Sequence, residues 1–202
     1  MRRIPYDLTG PIGTTATLGL IVLQADETLE QDMRRLFTDP ATAIHVSRIP
    51  SGDTLTTDTI AAMKADLPAA ARLLPRAAAF DAVGYGCTSG TTLIGADAVA
   101  ALVRQGVAAP VVTDPLTAAL AALRALTVTR IGLVTPYVAS VAAPLRDAFG
   151  AKGVTVTDAV SFGEEVEARV ARIDPASIMM AARAVAPGAE AIFLSCTNLR
   201  TL

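Results

Sequence analysis

Two side chains in this chain could act as nucleophiles, and they sit in matching surroundings. Cys87 lies in "GYGCTSGTT" (84–92), and Cys196, the only other cysteine, lies 109 positions later in "FLSCTNLRT" (193–201). Each closes a hydrophobic run. Each is followed by residues suited to a turn or helix start, Thr88-Ser89-Gly90 after the first and Thr197-Asn198 after the second. A thiol attacks carbon or abstracts a proton only as the thiolate, and an ordinary pKa of about 8.5 leaves little of that form at neutral pH. Hydroxyls and free N–H groups at a helix start favour the anion, and they suit a substrate carboxylate equally well. Taken singly, either motif reads as a buried thiol beside an ordinary helix cap. Two copies in a chain with no other cysteine point to a functional pair, at least one member of which should have a lowered pKa.

Other chemistries lack their residues. The only histidine, His45, stands in "AIHVSRI", whose alternation reads as a strand, so a structural role is expected for it. A histidine-dependent triad, an H-E-x-x-H zinc site and a P-loop are all absent. Two cysteines cannot supply a disulfide framework or a four-ligand zinc site, and no C-x-x-C marks a redox pair. No metal and no cofactor is expected.

The elements that must position the thiols follow one rhythm. Short runs rich in branched residues, at 17–23, 44–49, 80–86, 109–114, 130–137, 153–157 and 189–195, predict strands. Between them, apolar residues at helical spacing predict helices within 24–37 and near 56–75, 91–106, 115–126, 138–150 and 174–186. Apolar strands alternating with helices imply parallel sheets covered on both faces, an α/β fold. Gly19 in "LGLIVL" stands 68 residues before Cys87, and Gly132 in "IGLVTP" stands 64 before Cys196, which suggests a chain that repeats itself. The expected organisation is an arm at 1–16 and two pseudo-symmetric Rossmann-like lobes, 17–113 and 114–202, with a cleft between them. The carboxyl ends of parallel strands, where both cysteines fall, are where such sheets bind ligands. After Cys87 the first lobe supplies a further helix, strand and helix, whereas only six residues follow Cys196, so the full protein is expected to extend past Leu202.

The composition narrows the partners. With 52% hydrophobic and 18% charged residues, the 202-residue chain can bury a substantial core. A net charge of −2 with no basic run lacks the footprint needed for nucleic acid or an anionic membrane, and no apolar run approaches the ~20 residues that cross a bilayer. A cytoplasmic homo-oligomer handling a small carboxylate is expected.

Taken together and in this order, "GYGCTSGT", "VTPY" and "LSCTNLRT" resemble the aspartate/glutamate racemase superfamily. The similarity runs over residues 18–202. It lies nearest the branch of maleate cis-trans isomerases, arylmalonate decarboxylases and racemase-like proteins of ectoine utilisation. The resemblance implies a cofactor-independent site between two lobes, with Cys87 as nucleophile or base and Cys196 as proton donor or acceptor. Arylmalonate decarboxylases generally keep only the second cysteine, so the presence of Cys87 speaks against decarboxylation. Tyr137, in "VTPY", matches a tyrosine that meets the substrate in maleate isomerases; alternatively it closes the cleft wall. Thr88, Ser89, Thr197 and Asn198 are the expected substrate-binding neighbours of the thiols. Maleate isomerases carry Asn where this chain has Asp26, which reads either as a helix cap or as a charge facing the substrate, with Gln24 beside it as a neutral donor. A second departure is the acidic run Glu164, Glu165 and Glu167. An inward-facing Glu164 would, with Asp26, favour an amino-acid-like or zwitterionic substrate.

Overall fold

The computed structural model describes residues 1–54 and 56–202. Strand β1 (Ala16–Leu23) is followed by α1 (Leu29–Leu36), β2 (Thr42–Ile49), α2 (Thr57–Arg72) and β3 (Ala82–Gly86). Helices α3 (Thr88–Ile94) and α4 (Ala96–Arg104), strand β4 (Val111–Thr113) and α5 (Pro115–Ala125) come next. The second half runs β5 (Arg130–Thr135), α6 (Ala139–Ala151), β6 (Thr155–Ser161), α7 (Glu167–Val170), α8 (Pro175–Ala184) and β7 (Ala191–Leu194).

The strands form two sheets, ordered β2-β1-β3-β4 and β6-β5-β7, and every pairing within them is parallel. The order β2-β1-β3 recurs as β6-β5-β7, so the internal repeat is visible in the topology. Gly19 and Gly132 show why each opening strand carries glycine. A Cβ at Gly19 would lie 3.0 Å from Leu74, just after α2, and one at Gly132 would lie 2.4 Å from the carbonyl of Val185, the C-cap of α8. In both halves a covering element packs directly on the strand backbone. One continuous apolar core includes Ile21, Val83 and Tyr85 of the first sheet together with Ile131, Leu133 and Phe149 of the second half.

Three elements differ from the sequence reading. The helix expected over 91–106 is two helices broken at Gly95, whose φ of 91° lies in the left-handed region, and α3 starts directly after Cys87. Strand β6 extends to Ser161, beyond the expected 157, because an edge strand accepts the polar Asp158 and Ser161 that blur its alternation. The short α7 falls in the acidic run that sequence periodicity left unassigned, and the preceding Val166 bridges to Thr54. His45 lies in β2, its ring edge-on to Phe80 at 5.8 Å, as a structural histidine would. Among the described residues no helix is long and apolar enough to cross a membrane.

Candidate active site

Cys87 and Cys196 follow the carboxyl ends of β3 and β7, equivalent strands of the two sheets. Both are free thiols. Cys87 is the N-cap of α3. Its extended backbone aims the sulfur back at the helix, where it accepts the Gly90 N–H at 3.1 Å and lies 3.6 Å from the Ser89 hydroxyl. Cys196 is held differently, at φ 88°, a conformation that costs a side-chain-bearing residue on the order of 1–3 kcal/mol. A turn closed by the Leu199 N–H on the Cys196 carbonyl follows it.

The two cysteine turns meet. Thr197, next to Cys196, places its hydroxyl 3.1 Å from the carbonyl of Gly86, the residue before Cys87, and 2.7 Å from Asp26 Oδ2. Asn198 accepts the Glu27 N–H on its side-chain oxygen, and its amide nitrogen lies 3.4 Å from the Ala25 carbonyl and 3.1 Å from Glu167 Oε2. Its own carbonyl accepts the Thr28 hydroxyl. Thus the loop after β1, the turn after β3, the turn after β7 and helix α7 converge on one spot. Tyr137 is buried there too, its hydroxyl 3.3 Å from that of Ser195.

Burial dominates the electrostatics. Cys87, Thr88, Ser89, Tyr137, Ser195 and Asn198 are buried, whereas Cys196 and Thr197 are half-buried, so the site is open on the side of the second turn. Burial pushes the Cys87 thiol up to about 11, against the opposing pull of the Ser89 hydroxyl and the Gly90 N–H. Cys196 is pushed up as well, by burial first and by the Glu167 carboxylate second. The lowered thiol pKa expected from the sequence is not found: at Cys87 the helix-start donors are weaker than the loss of water around the sulfur. Tyr137 is raised too, by burial first and then by the neighbouring cysteines. A hollow of ≈ 680 Å³ is lined by residues of α3 to α6, such as Thr91, Leu116 and Lys152, and by neither cysteine.

Most of the residues singled out in the sequence are gathered here: Cys87, Thr88, Ser89, Tyr137, Cys196, Thr197, Asn198 and Asp26. Gln24 is not. It is exposed, and its main chain is tied to β2, the N–H to the Ile49 carbonyl and the carbonyl to Arg48. Asp26 is buried, but both of its oxygens are engaged. Oδ1 accepts the N–H groups of Thr28 and Leu29 at 2.8 Å, and Oδ2 faces Thr197. It is a cap for α1 and a clasp to the second half. Glu164 does not point inward: its Oε1 accepts the Glu165 and Val166 N–H groups and its Oε2 pairs with Arg169 at 3.1 Å. The inward acid is Glu167, 4% exposed. Arg48 also escaped the sequence reading. Its guanidinium donates to the carbonyls of Leu23, Gln24 and Asp26 and shapes the loop after β1. An arginine at the carboxyl end of a strand is the signal that marks it.

A model of the arylmalonate decarboxylase family matches residues 18–202. The chain belongs to the arylmalonate decarboxylase family. Among solved structures, the Nocardia farcinica maleate cis-trans isomerase bound to TRIS is 25% identical with a TM-score of 0.83, covering 93% of this chain and 80% of that one. A double mutant of arylmalonate decarboxylase in its liganded form is 28% identical, TM-score 0.79, with the same coverage. A mutant of the Nocardia enzyme with a covalently bound succinylcysteine intermediate is 24% identical, with a TM-score of 0.84 over the same 93% and 80%. No curated protein matches the chain. These likenesses establish the fold expected from the sequence and the membership of the wider racemase-like superfamily.

Proposed function

We propose that this arylmalonate decarboxylase family member is a cofactor-independent isomerase or racemase of a small carboxylate or amino-acid-like substrate, working through Cys87 and Cys196. The observation that supports this reading is the contact between the two cysteine turns, Thr197 Oγ1 on the Gly86 carbonyl, which joins the equivalent turns of the two halves. A cysteine on each side of a bound acid can remove a proton from one face and return one to the other. The similarity to arylmalonate decarboxylase favours the same buried scaffold with a second thiol added, and two thiols suit isomerisation better than loss of CO₂.

Cys87, with the Gly90 N–H and the Ser89 hydroxyl on its sulfur, is the cysteine equipped to carry negative charge. Cys196, whose pKa is raised with the Glu167 carboxylate among the causes, is the proton donor. The Tyr137 hydroxyl, held 3.3 Å from that of Ser195 beside Cys196, meets the carboxylate that develops enolate character. Cis-trans isomerisation by Cys87 addition is the second reading, favoured by the likeness to a maleate isomerase at 25% identity.

Incubation with maleate and with small α-amino acids in deuterium oxide separates the readings. Deuterium gained at an α-carbon indicates proton transfer, and conversion to the trans acid without such exchange indicates thiol addition. Neither outcome from any small carboxylate, in a protein shown to be folded, would remove the enzymatic assignment.

A further inference from the structure

Glu167 is a buried carboxyl group for which the described residues supply no cation. It is 4% exposed, and Asp26, 3% exposed, lies near enough to raise its pKa, after the larger effect of burial itself. Among the described residues no Lys, Arg or His pairs with either carboxylate. The two arginines of the adjoining segment are already committed, Arg169 to Glu164 at 3.1 Å and Arg172 to Glu27 at 2.7 Å. Only the Asn198 amide supports Glu167, at 3.1 Å, and an amide does not neutralise a carboxylate. Buried charges in folded proteins are paired, because an isolated one forfeits its hydration without compensation. Through that 3.1 Å contact with Asn198, two residues after Cys196, Glu167 stands beside the second cysteine turn, and its carboxylate is among the causes that raise both thiols.

Building on the reading of the cysteine turns as the reaction site, we propose that Glu167 determines the substrate's charge: it receives a cationic group, such as an ammonium, carried next to the reacting carboxylate, and it repels a second carboxylate. The incoming cation supplies the partner that the chain omits. A dianion such as maleate would instead add charge to a region that already holds two acids. Asp26 contributes to the field but is engaged with α1 and Thr197, so Glu167 is the residue left to make the contact. Its attachment to Asn198 fixes it relative to Cys196, two residues earlier.

Equilibrium binding to the full chain tests this without requiring turnover. The probes are both enantiomers of aspartate and of 2-aminobutyrate, each set against succinate or butyrate, which differ only in lacking the ammonium. The wild type should bind at least one amino acid about 10-fold or more tightly than its ammonium-free match. Glu167→Gln, which keeps an acceptor for Asn198, should cut that preference below about 3-fold, and Glu167→Asp, which keeps the charge, should retain most of it. Circular dichroism establishes that each variant is folded. No ammonium preference in the wild type, or one that survives Glu167→Gln, overturns the proposal. Because binding is read, inert cysteines together with an intact preference would sink only the proposed reaction.

Discussion

The turns after β3 and β7 begin from almost the same residues, Gly-Cys-Thr-Ser and Ser-Cys-Thr-Asn, and end as different devices. The first folds inward: Cys87 caps α3, the Gly90 N–H donates to its sulfur, and the Ser89 hydroxyl lies 3.6 Å from it. The second reaches outward: Cys196 adopts a positive φ, and Thr197 and Asn198 send their side chains to Asp26, Gly86, Glu27 and Glu167. One copy tunes a thiol and the other joins two halves of the molecule. A repeat thus preserves a position while allowing the bonds at that position to diverge. Ser89 and Asn198 occupy matching places, yet only the longer amide side chain spans the gap to the loop after β1.

The largest expected effect tests whether both turns are chemical at all. Cys87→Ala and Cys196→Ala should each lower turnover by roughly 10³-fold or more, as expected for residues acting as a unit. Cys196→Ala should in addition keep the clasp, since Thr197 and Asn198 remain. A variant of either cysteine with near-normal turnover, measured by solvent-deuterium incorporation, would reduce that turn to architecture.

The second effect separates the turns by pH. In the unfolded chain a cysteine thiol ionises at about 8.5–9, and in the folded protein burial holds that of Cys87 neutral up to about 11. Between those values the unfolded state binds fewer protons, so stability falls as pH rises, by about 2–3 kcal/mol once the window is crossed. Urea unfolding at pH 7.5 and pH 10.5 should show a smaller loss in Cys87→Ala than in the wild type. Equal losses would mean that the sulfur is wetter than its surroundings indicate. Cys196 and Tyr137 shift in the same direction, so only the difference between variant and wild type isolates Cys87.

The third effect falls on the clasp. Asp26→Ala removes the acceptor for the Thr28 and Leu29 N–H groups and the partner of Thr197, and should cost about 2 kcal/mol. Ser89→Ala, on the inward-folding turn, should cost less than about 1 kcal/mol, because it removes one long contact to sulfur. Denaturant titration that ranks them the other way would undo the division of labour between the turns.

How much of this fold and site is legible in the sequence depends on the range of the interaction. The α/β class, the parallel order and the position of both thiols at strand ends follow from local patterns, because an apolar strand before a hydroxylated turn is a signal contained within ten residues. The split of the expected helix at Gly95 rests on a single φ that periodicity does not register. Glu167 rather than Glu164 faces inward because Arg169 lies within reach of Glu164, while Glu167 meets Asn198, 31 positions away. Such a choice among neighbouring acids is made by packing between distant segments. The thiol pKa values depart from expectation for a related reason: donors at a helix start can be read from sequence, but the completeness of burial cannot.

The smallest effect is confined to the backbone of Cys196. A φ of 88° lies where glycine is at home and where a Cβ is crowded, so holding a thiol there lowers the stability of the β7 turn. Cys196→Gly should therefore be more stable than Cys196→Ala by about 1 kcal/mol, although both lose the sulfur. At Cys87 the order should reverse, because its φ of −148° suits any side chain and glycine there adds only unfolded-state entropy. Four variants and one denaturant series give the crossed pattern. Parallel behaviour, with Ala better than Gly at both sites, would show that the strain at Cys196 is not stored in the backbone, and the two turns would then differ only in what their neighbours touch.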